Sequence, residues 1–297
     1  MVVLPPAVYQ RSQDSSCRGT RTVVRLRSEV VTVSSLSLGQ AHRLFELFAR
    51  HYEHVSWSRF HADLAEKDCV ILLRDSATGN VRGFSTQKII VAPVQGQKIQ
   101  ALFSGDTIID PAFWGDQELI RGWCRFAGTV RAASPGLPFY WLLISKGYRT
   151  YLYLPLFFTR YYPSPTEATP AFEQAVMDTL ATEKFGACYR PASGTLEFPE
   201  RIGNLVPALA SVPLARRRDP RVRFFLERNP AYAVGTELVC LAEISPDNMR
   251  SIARRALIEA ERQAAGESQD AGRHAFVPAG GRLLTSRCAS MGSRDQS

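Results

Sequence analysis

The sequence lacks several features that would assign it to a class at once. Its six cysteines are widely spaced over 297 residues, and no two form a CxxC pair. This spacing argues against zinc clusters and against a disulfide framework. No segment approaches about 18 uninterrupted apolar residues, and the N-terminus has no apolar core of signal-peptide length. We therefore expect no transmembrane segment, a reducing compartment and a cytoplasmic location.

The composition is that of an ordinary globular protein. Hydrophobic residues make up 45% of the chain and charged residues 22%, so whole-chain disorder is excluded. The net charge of +8 favours an anionic partner, such as a nucleotide-containing cofactor, an acidic carrier, a membrane surface or nucleic acid. A small excess of arginine that only keeps the protein soluble is an open alternative.

The chain divides into three parts by composition. Residues 1–20 are polar and have no hydrophobic period, which predicts a flexible N-terminal leader. Residues 266–297 are rich in Gly, Ser and Arg, which predicts a disordered tail. Residues 21–265 carry the apolar periodicities, so we expect a single domain there with extra helices at its C-terminal end.

The periodicities between residues 22 and 163 predict a definite order of elements: strand, helix, three-strand meander, helix, buried strand, helix. Ser37 and Gln40 form a capping box that opens the first helix. The almost wholly apolar run at 139–144 is typical of a central strand covered on both faces. We expect it to lie parallel to the strand at 98–109, joined to it by a right-handed crossover. The fold class predicted is mixed α/β (α+β), with a mostly antiparallel central sheet and helices on both faces.

The segment TIIDPAFWGDQELIRGW, residues 107–123, lies where the strand at 98–109 gives way to the next helix. Its Ile109, Pro111 and Phe113 form a hydrophobic-x-Pro-x-aromatic run, and Gly115 follows. With the element order, this segment resembles the GNAT superfamily of acyl-CoA N-acyltransferases. The resemblance covers roughly residues 22–163, and residues 187–245 are expected to supply the closing strands.

The resemblance implies an acyl-CoA, acetyl-CoA included, as co-substrate. Backbone N–H groups at the helix N-terminus would bind its pyrophosphate. The residues concerned are Ile108, Ile109, Trp114, Gly115, Asp116 and Gln117. Asp116 and Glu118 place negative charge there, which is unfavourable for phosphate. Three possibilities stay open: a modified binding mode, a carrier-bound thioester, or a fold without catalysis. Acidic residues that only favour a helix N-terminus are the structural alternative.

The resemblance also implies a tyrosine that protonates the leaving thiolate, on the helix after the buried strand. Tyr148, Tyr151 and Tyr153 lie there, and Tyr151 is the favoured candidate because it is one turn into the helix. An aromatic stripe at helical spacing is also typical of a hydrophobic core.

Small and polar residues interrupt the strand at 98–109, at residues 104–107. A glycine inside a strand often marks a bulge or the close approach of a ligand. In the fold that the chain resembles, the acyl thioester enters at a splayed strand pair here, and backbone groups polarise its carbonyl. Asp106 would then act as a base or orient the acceptor amine. A bulge without chemistry is the alternative.

Four of the five histidines lie between positions 42 and 61, on the side where the resemblance expects the acceptor. His54 is the candidate base for the attacking amine, because imidazole titrates near neutrality. Surface histidines at a helix end are the alternative. No cysteine or carboxylate spacing supports a metal, so no metal is expected. Trp57 and Phe60 would wall a substrate pocket or belong to the core.

Three functional hypotheses follow. The first is an enzyme, an N-acyltransferase that moves an acyl group from coenzyme A, or from a thioester on an acyl carrier protein, to a small-molecule amine or amino-acid-like acceptor. The second is a catalytically inactive GNAT-like binding module. The third is a basic adaptor that touches nucleic acid or a membrane through Arg216, Arg217, Arg218, Arg221 and Arg223, although no nucleic-acid motif accompanies this cluster.

Overall fold

The computed structural model describes residues 25–198, 204–206 and 210–270. The leader predicted at 1–20 and the tail beyond residue 270 lie outside these ranges. A central sheet has eight strands in the order β1-β3-β4-β5-β6-β10-β8-β7, and a small second sheet joins β2 to β9. The strands are β1 (Leu26–Thr32), β2 (Tyr52–Glu53), β3 (Cys69–Asp75), β4 (Val81–Val94), β5 (Gln97–Ile109), β6 (Phe139–Ser145), β7 (Tyr189–Arg190), β8 (Thr195–Leu196), β9 (Asn204–Leu205) and β10 (Glu237–Glu243).

The strands β5 and β6 form a parallel pair, while the other neighbours in the central sheet pair antiparallel. A helix connects β5 to β6, as a parallel pair requires. The predicted fold class is therefore confirmed, and so is the parallel pair at the centre of the sheet. The helices are α1 (Leu38–Ala49), α2 (Trp57–Ala65), α3 (Glu118–Ala132), α4 (Tyr148–Tyr151), α5 (Tyr153–Phe157), α6 (Ala171–Phe185), α7 (Leu214–Arg217), α8 (Pro220–Arg228) and α9 (Ser251–Asp270).

Three apolar clusters cover the two faces of the sheet. Helices α3, α5 and α9 pack with one face of β3, β5 and β6 in the largest cluster. Helix α6 packs on the opposite face, against β4, β5, β6 and β10. Helices α1 and α2 cover the neighbouring part of the sheet, over β3, β4 and the end of β5. Cys69, Cys124 and Cys240 are buried free thiols, as their apolar neighbours predicted.

The ends of several helices follow from local chemistry. The Ser37 hydroxyl accepts a hydrogen bond from the Gln40 amide over 3.2 Å, and the Gln40 side chain accepts from the Ser37 amide over 2.8 Å. The predicted capping box at the start of α1 is thus confirmed. Asp219 likewise caps α8, whose first residue is Pro220.

Two boundary predictions are wrong. A last helix was expected from Ser245–Pro246 to about residue 265. Instead, the Ser245 carbonyl closes a turn by accepting from the Asn248 and Met249 amides, and α9 begins at Ser251 and runs to Asp270. The aromatic helix after β6 is two short helices that meet at Leu152. Among the described helices, none is both long enough and apolar enough to span a bilayer.

Candidate functional site

A β-bulge interrupts β5 beside its partner β4. Ser85 stands opposite Thr107 and Gln87 stands opposite Ser104, so Gly105 and Asp106 together face the single residue Thr86. One extra residue on β5 bends the strand and increases its local twist. The interruption predicted at 104–107 is therefore confirmed as a bulge.

The parallel pair of β5 and β6 comes apart at the same level. Its register runs from Gln100 opposite Phe139 to Ser104 opposite Leu143. β5 then continues to Ile109 and β6 to Ser145, with no further pairing between these two described strands. The two strands are therefore paired at one end and unpaired at the other, and the bulge lies where the pairing ends.

A cleft opens between the parted strands on the side of α3. Its cavity volume is about 30 Å³, enough for one or two water molecules, and it is open to solvent on one side. The surface that it exposes is apolar, and the hydroxyl groups of Ser85, Ser104 and Thr107 are bonded to other side chains beneath it. The lining residues are Ser85, Ser104, Thr107, Leu119, Ile120, Trp123, Trp141, Tyr153 and Phe157.

The floor of the cleft is a fully bonded polar network. The indole N–H groups of Trp123 and Trp141 both donate to the Ser104 hydroxyl, over 3.1 and 3.0 Å. Ser104 in turn donates to the Gln87 side-chain oxygen over 2.9 Å. The Ser104 hydroxyl has one proton and two lone pairs, so all of its hydrogen-bonding capacity is used. This network fixes both tryptophan rings against the point where β5 and β6 part.

Tyr153 faces the cleft from the start of α5. Its side chain is 3% exposed, and its ring stacks on Phe157 with centroids 5.5 Å apart. Burial raises the pKa of its hydroxyl, so the phenol stays protonated at neutral pH. Within the described residues, no hydrogen bond engages that hydroxyl.

Tyr151, the favoured acid, does not face the cleft. It is fully buried, and its hydroxyl donates to the Pro163 carbonyl over 2.9 Å. Its ring packs against Tyr161, Phe224 and Phe225. The break between α4 and α5 at Leu152 turns Tyr153 toward the cleft and leaves Tyr151 in the core.

Asp106 lies on the opposite face of the sheet from the tryptophans, and its neighbours there are Tyr52 and Lys67. Burial raises the pKa of Tyr52 well above its ordinary value, and the charges of Asp106 and Glu237 add to that shift. The Tyr52 hydroxyl is buried, and no described residue is its hydrogen-bond partner. The Lys146 ammonium lies 5.8 Å from the centre of the Tyr52 ring and 3.2 Å from Glu237.

Two buried lysines lie over Phe103, which precedes the bulge on β5. The Lys184 ammonium is 4.6 Å from the ring centroid and the Lys67 ammonium 5.9 Å. Lys67 is paired with the Asp63 carboxylate over 2.8 Å. Burial, and after it the charge of Lys67, lower the pKa of Lys184 to about 8.

Gly105 allows these side chains to approach the bulge. A Cβ atom on it would lie 2.5 Å from the Thr86 hydroxyl oxygen and 2.9 Å from Lys67 Cε. Real Cβ atoms do not come so close to other atoms, so only glycine fits here without a shift of its neighbours. The bulge thus has the cleft on one face and a polar cluster on the other.

The histidines are not brought to this cluster. His54 is exposed, in a left-handed turn with φ of 56°, and no described contact joins it to Asp106. His42 stacks on Trp57 with centroids 3.8 Å apart, and His51 Nδ1 lies 3.0 Å from the Leu47 carbonyl. Trp57 and Phe60 belong to the aromatic core of α1 and α2. In the part of the chain that the structure describes, no group of three potential ligands is arranged for a metal.

The acidic residues after β5 have structural partners. Asp116 accepts from the Leu26 amide over 3.1 Å and from the Glu118 amide over 2.8 Å, and Glu118 accepts from the Ser28 amide over 3.2 Å. These bonds tie the start of α3 to the edge strand β1 and use one N–H of the helix N-terminus.

The remaining residues predicted to bind the pyrophosphate are divided between two surroundings. Gly115 has φ of +99° and open space around it, as a loop that admits a ligand requires. Trp114 is half-buried and donates to the Ile109 carbonyl over 3.0 Å, while Gln117 is exposed. Ile108 points into the core under α1 and α2, so its side chain is remote from the cleft.

The strand order, the bulge in β5 and the parting of a central parallel pair are the features on which the predicted resemblance depends. The fold is GNAT-like. No protein-family model matches the chain, and no curated protein matches it. The likeness therefore concerns the fold.

Solved structures similar to this chain include N-acetyltransferases and an N-myristoyltransferase. One is a GNAT-family N-acetyltransferase from Escherichia coli in complex with CoA, with a TM-score of 0.30 and 17% identity over 41% of this chain and 64% of that chain. Another is a GCN5-related N-acetyltransferase from Kribbella flavida. Its TM-score is 0.32 and its identity 13%, over 44% of this chain and 32% of that chain. A third is N-myristoyltransferase from Saccharomyces cerevisiae with bound myristoyl-CoA. Its TM-score is 0.30 and its identity 12%, over 40% of this chain and 31% of that chain. The chain spans less than two thirds of the length of each of these three proteins. Because each TM-score is below 0.5, the resemblance rests on the strand topology and not on these superpositions.

The arginine cluster lies on α7 and at the start of α8. Arg221 is paired with Asp219 over 2.8 Å, and Arg217 donates to the Val212 carbonyl over 3.3 Å. Arg218 and Arg223 are exposed. The cluster is thus a partly bonded surface around a helix cap.

Proposed function

We propose that this protein is an N-acyltransferase that moves an acyl group from a thioester to an amine. The observation that carries the proposal is the parting of β5 and β6 after the Ser104–Leu143 pair, beside the bulge at Gly105 and Asp106. A parted parallel pair exposes unpaired backbone groups next to an apolar cleft, and such groups can polarise a carbonyl.

The two faces of the sheet have different roles in this reaction. The thioester enters the cleft beside Trp123 and Tyr153, with its carbonyl at the bulge. The acceptor approaches from the opposite face, where Asp106 orients its amine. The amine, once it has lost a proton to solvent, forms a C–N bond with the carbonyl carbon. The C–S bond then breaks, and the departing thiolate takes the proton of the Tyr153 hydroxyl. The nitrogen of the new C–N bond loses its second proton through water, and that proton restores the Tyr153 hydroxyl.

One observation favours a second candidate, a binding module without catalysis. The Asp116 side chain takes the Glu118 amide at the start of α3, a group that a pyrophosphate would otherwise use. The same observation supports a thioester carried on a protein, because such a donor presents its thiol arm without needing that loop.

The test has two readouts on the full chain. Thermal unfolding is measured with acetyl-CoA and with longer acyl-CoA thioesters, and thiol release is measured with a panel of amines. Ligand at about 100 times its dissociation constant adds roughly 2.7 kcal/mol of stability. We expect stabilisation and amine-dependent thiol release. Stabilisation without release supports the binding module, and neither effect with any thioester contradicts the proposal.

A further inference from the structure

We propose that the acceptor is an amino carboxylate, a small molecule with a primary amine and a carboxylate. Its ammonium group lies against Asp106 and Tyr52, and its carboxylate lies against Lys184. This inference rests on the proposed function and names the substrate class of the same site.

Lys184 is a buried cation without a matched partner. Its side chain is 5% exposed, and no hydrogen bond to its ammonium is present within the described ranges. The Glu66 carboxylate lies 3.8 Å away and is itself 40% exposed. A buried ammonium without hydrogen bonds is costly, and a carboxylate is the ligand that best removes that cost.

The neighbouring lysines are already satisfied. Lys67 is paired with Asp63 over 2.8 Å, and Lys88 is paired with Asp68 over 2.9 Å. Because both pairs are within hydrogen-bond distance, each cation is neutralised by its own carboxylate. Of these three lysines, Lys184 is the one left to bind an incoming anion.

The groups that fit an ammonium lie on the same face, beside the bulge. Asp106 is half-buried and makes no hydrogen bond or ion pair with any described residue. The buried hydroxyls of Tyr52 and Thr86 likewise have no partner in the described part of the chain. A carboxylate and two hydroxyl oxygens are suitable acceptors for the three N–H donors of a primary ammonium.

The two ends of the site are joined along β5. Lys184 lies over Phe103, and Asp106 follows on the same face after the bulge. Lys67 lies between them, with its ammonium 5.9 Å from the Phe103 centroid and 3.7 Å from the place that a Cβ on Gly105 would occupy. An acceptor bound across this stretch has its amine at the bulge, where the acyl carbonyl arrives from the cleft.

The test compares each acid with its uncharged amide. The panel contains the twenty common L-amino acids, β-alanine and γ-aminobutyrate, and the amide of each. Thiol release from acetyl-CoA gives kcat/KM, and ligand-observed NMR without thioester gives binding. The variants are Lys184→Met, which removes the charge at similar size, Lys184→Arg, which restores it, and Lys88→Met as a matched control. Circular dichroism confirms that each variant is folded.

We expect the wild type to prefer at least one acid over its amide by about tenfold or more, the loss of one charge-assisted hydrogen bond. Lys184→Met should abolish that preference because it lowers the binding and the kcat/KM of the acid and leaves those of the amide unchanged. Lys184→Arg should restore part of it, and Lys88→Met should leave it unchanged. Equal use of acids and amides by the wild type would overturn the inference, as would a preference that survives in Lys184→Met.

A failure of this inference can be distinguished from a failure of the proposed function, because binding and thiol release are measured separately. If no amine releases thiol, acyl transfer fails while NMR still tests the acceptor site. Acid binding that is lost in Lys184→Met then supports the site. Absence of acid binding to the wild type overturns it, whatever the outcome with thioesters.

Discussion

The indole nitrogen of Trp123 donates a hydrogen bond to the Ser104 hydroxyl over 3.1 Å, at the last residue of β5 that pairs with β6. Trp141 donates to the same oxygen from β6 itself. One small hydroxyl group therefore joins the helix α3 to the two strands that part. The position and shape of the cleft depend on this junction.

Replacement of that hydroxyl should destabilise the protein. Ser104→Ala leaves two buried indole N–H groups and the Gln87 oxygen without their partner. Because an unsatisfied buried polar group costs about 1–3 kcal/mol, we expect a loss of roughly 2–4 kcal/mol in urea unfolding. The exposed Ser34→Ala is the control and should change stability by less than about 0.5 kcal/mol. A loss as small as that of the control would show that the junction is not required.

The role of the Tyr153 hydroxyl can be tested by removal of that one oxygen. Tyr153→Phe should lower kcat by about a hundredfold or more with little change in KM, because a general acid acts in the chemical step. Tyr148→Phe, a buried tyrosine of α4 that does not line the cleft, is the matched control and should retain activity. Equal rates for both variants would remove Tyr153 from the reaction.

The buried Lys184 should produce a pH-dependent stability. Its pKa is lowered from an ordinary value of 10.5 to about 8, so between these values the unfolded chain binds more protons than the folded chain. Stability due to this group therefore rises with pH across that window, by roughly 3 kcal/mol in total. The difference in unfolding free energy between wild type and Lys184→Met, measured from pH 7 to 10, should increase in favour of the wild type. A difference that is independent of pH would mean that Lys184 is not perturbed.

The contact between α3 and α9 requires a glycine. A Cβ on Gly128 would lie 2.6 Å from the Leu257 carbonyl oxygen and 2.8 Å from Ala260 Cβ. Gly128→Ala should cost about 1–3 kcal/mol because the two helices must move apart. Gly39→Ala on α1 has open space around it and should raise stability by up to about 1 kcal/mol through helix propensity. If both substitutions had the same sign, the close helix approach would be refuted.

Local sequence patterns predicted much of the fold. The Ser37–Gln40 box, the hairpin of β3 and β4, the apolar run of β6 and the glycine of the β5 bulge are each determined by residues close together in the chain. Such features are predictable because hydrogen bonding and side-chain periodicity act over a few residues. The start of α9 was missed because Ser245 and Pro246 resemble a helix start but close an isolated turn.

The site was predictable only in part. Asp106 was named from the bulge, but Tyr52 and Lys67 become its neighbours through sheet pairing and helix packing, which no local pattern encodes. Lys184 follows the buried Leu180 and Ala181 at helical spacing, and this position on the apolar face was the one local signal of its burial. The catalytic role of Tyr151 stays a prediction, and the different surroundings of Tyr151 and Tyr153 were not predictable because the break at Leu152 depends on tertiary packing. Glycine spacing in the loop could not show that Asp116 and Glu118 bind the edge strand β1.

The central claim is that the cleft between the parted strands binds an acyl thioester. Ile120 lines that cleft and is half-buried, whereas Ile252 on α9 is 64% exposed. Isothermal titration of acetyl-CoA into the wild type, Ile120→Trp and Ile252→Trp tests the claim most directly. We predict saturable binding to the wild type and to Ile252→Trp, and binding to Ile120→Trp weakened about tenfold or more because the larger ring fills the cleft. Absence of binding to the wild type, or equal binding to all three proteins, would contradict it.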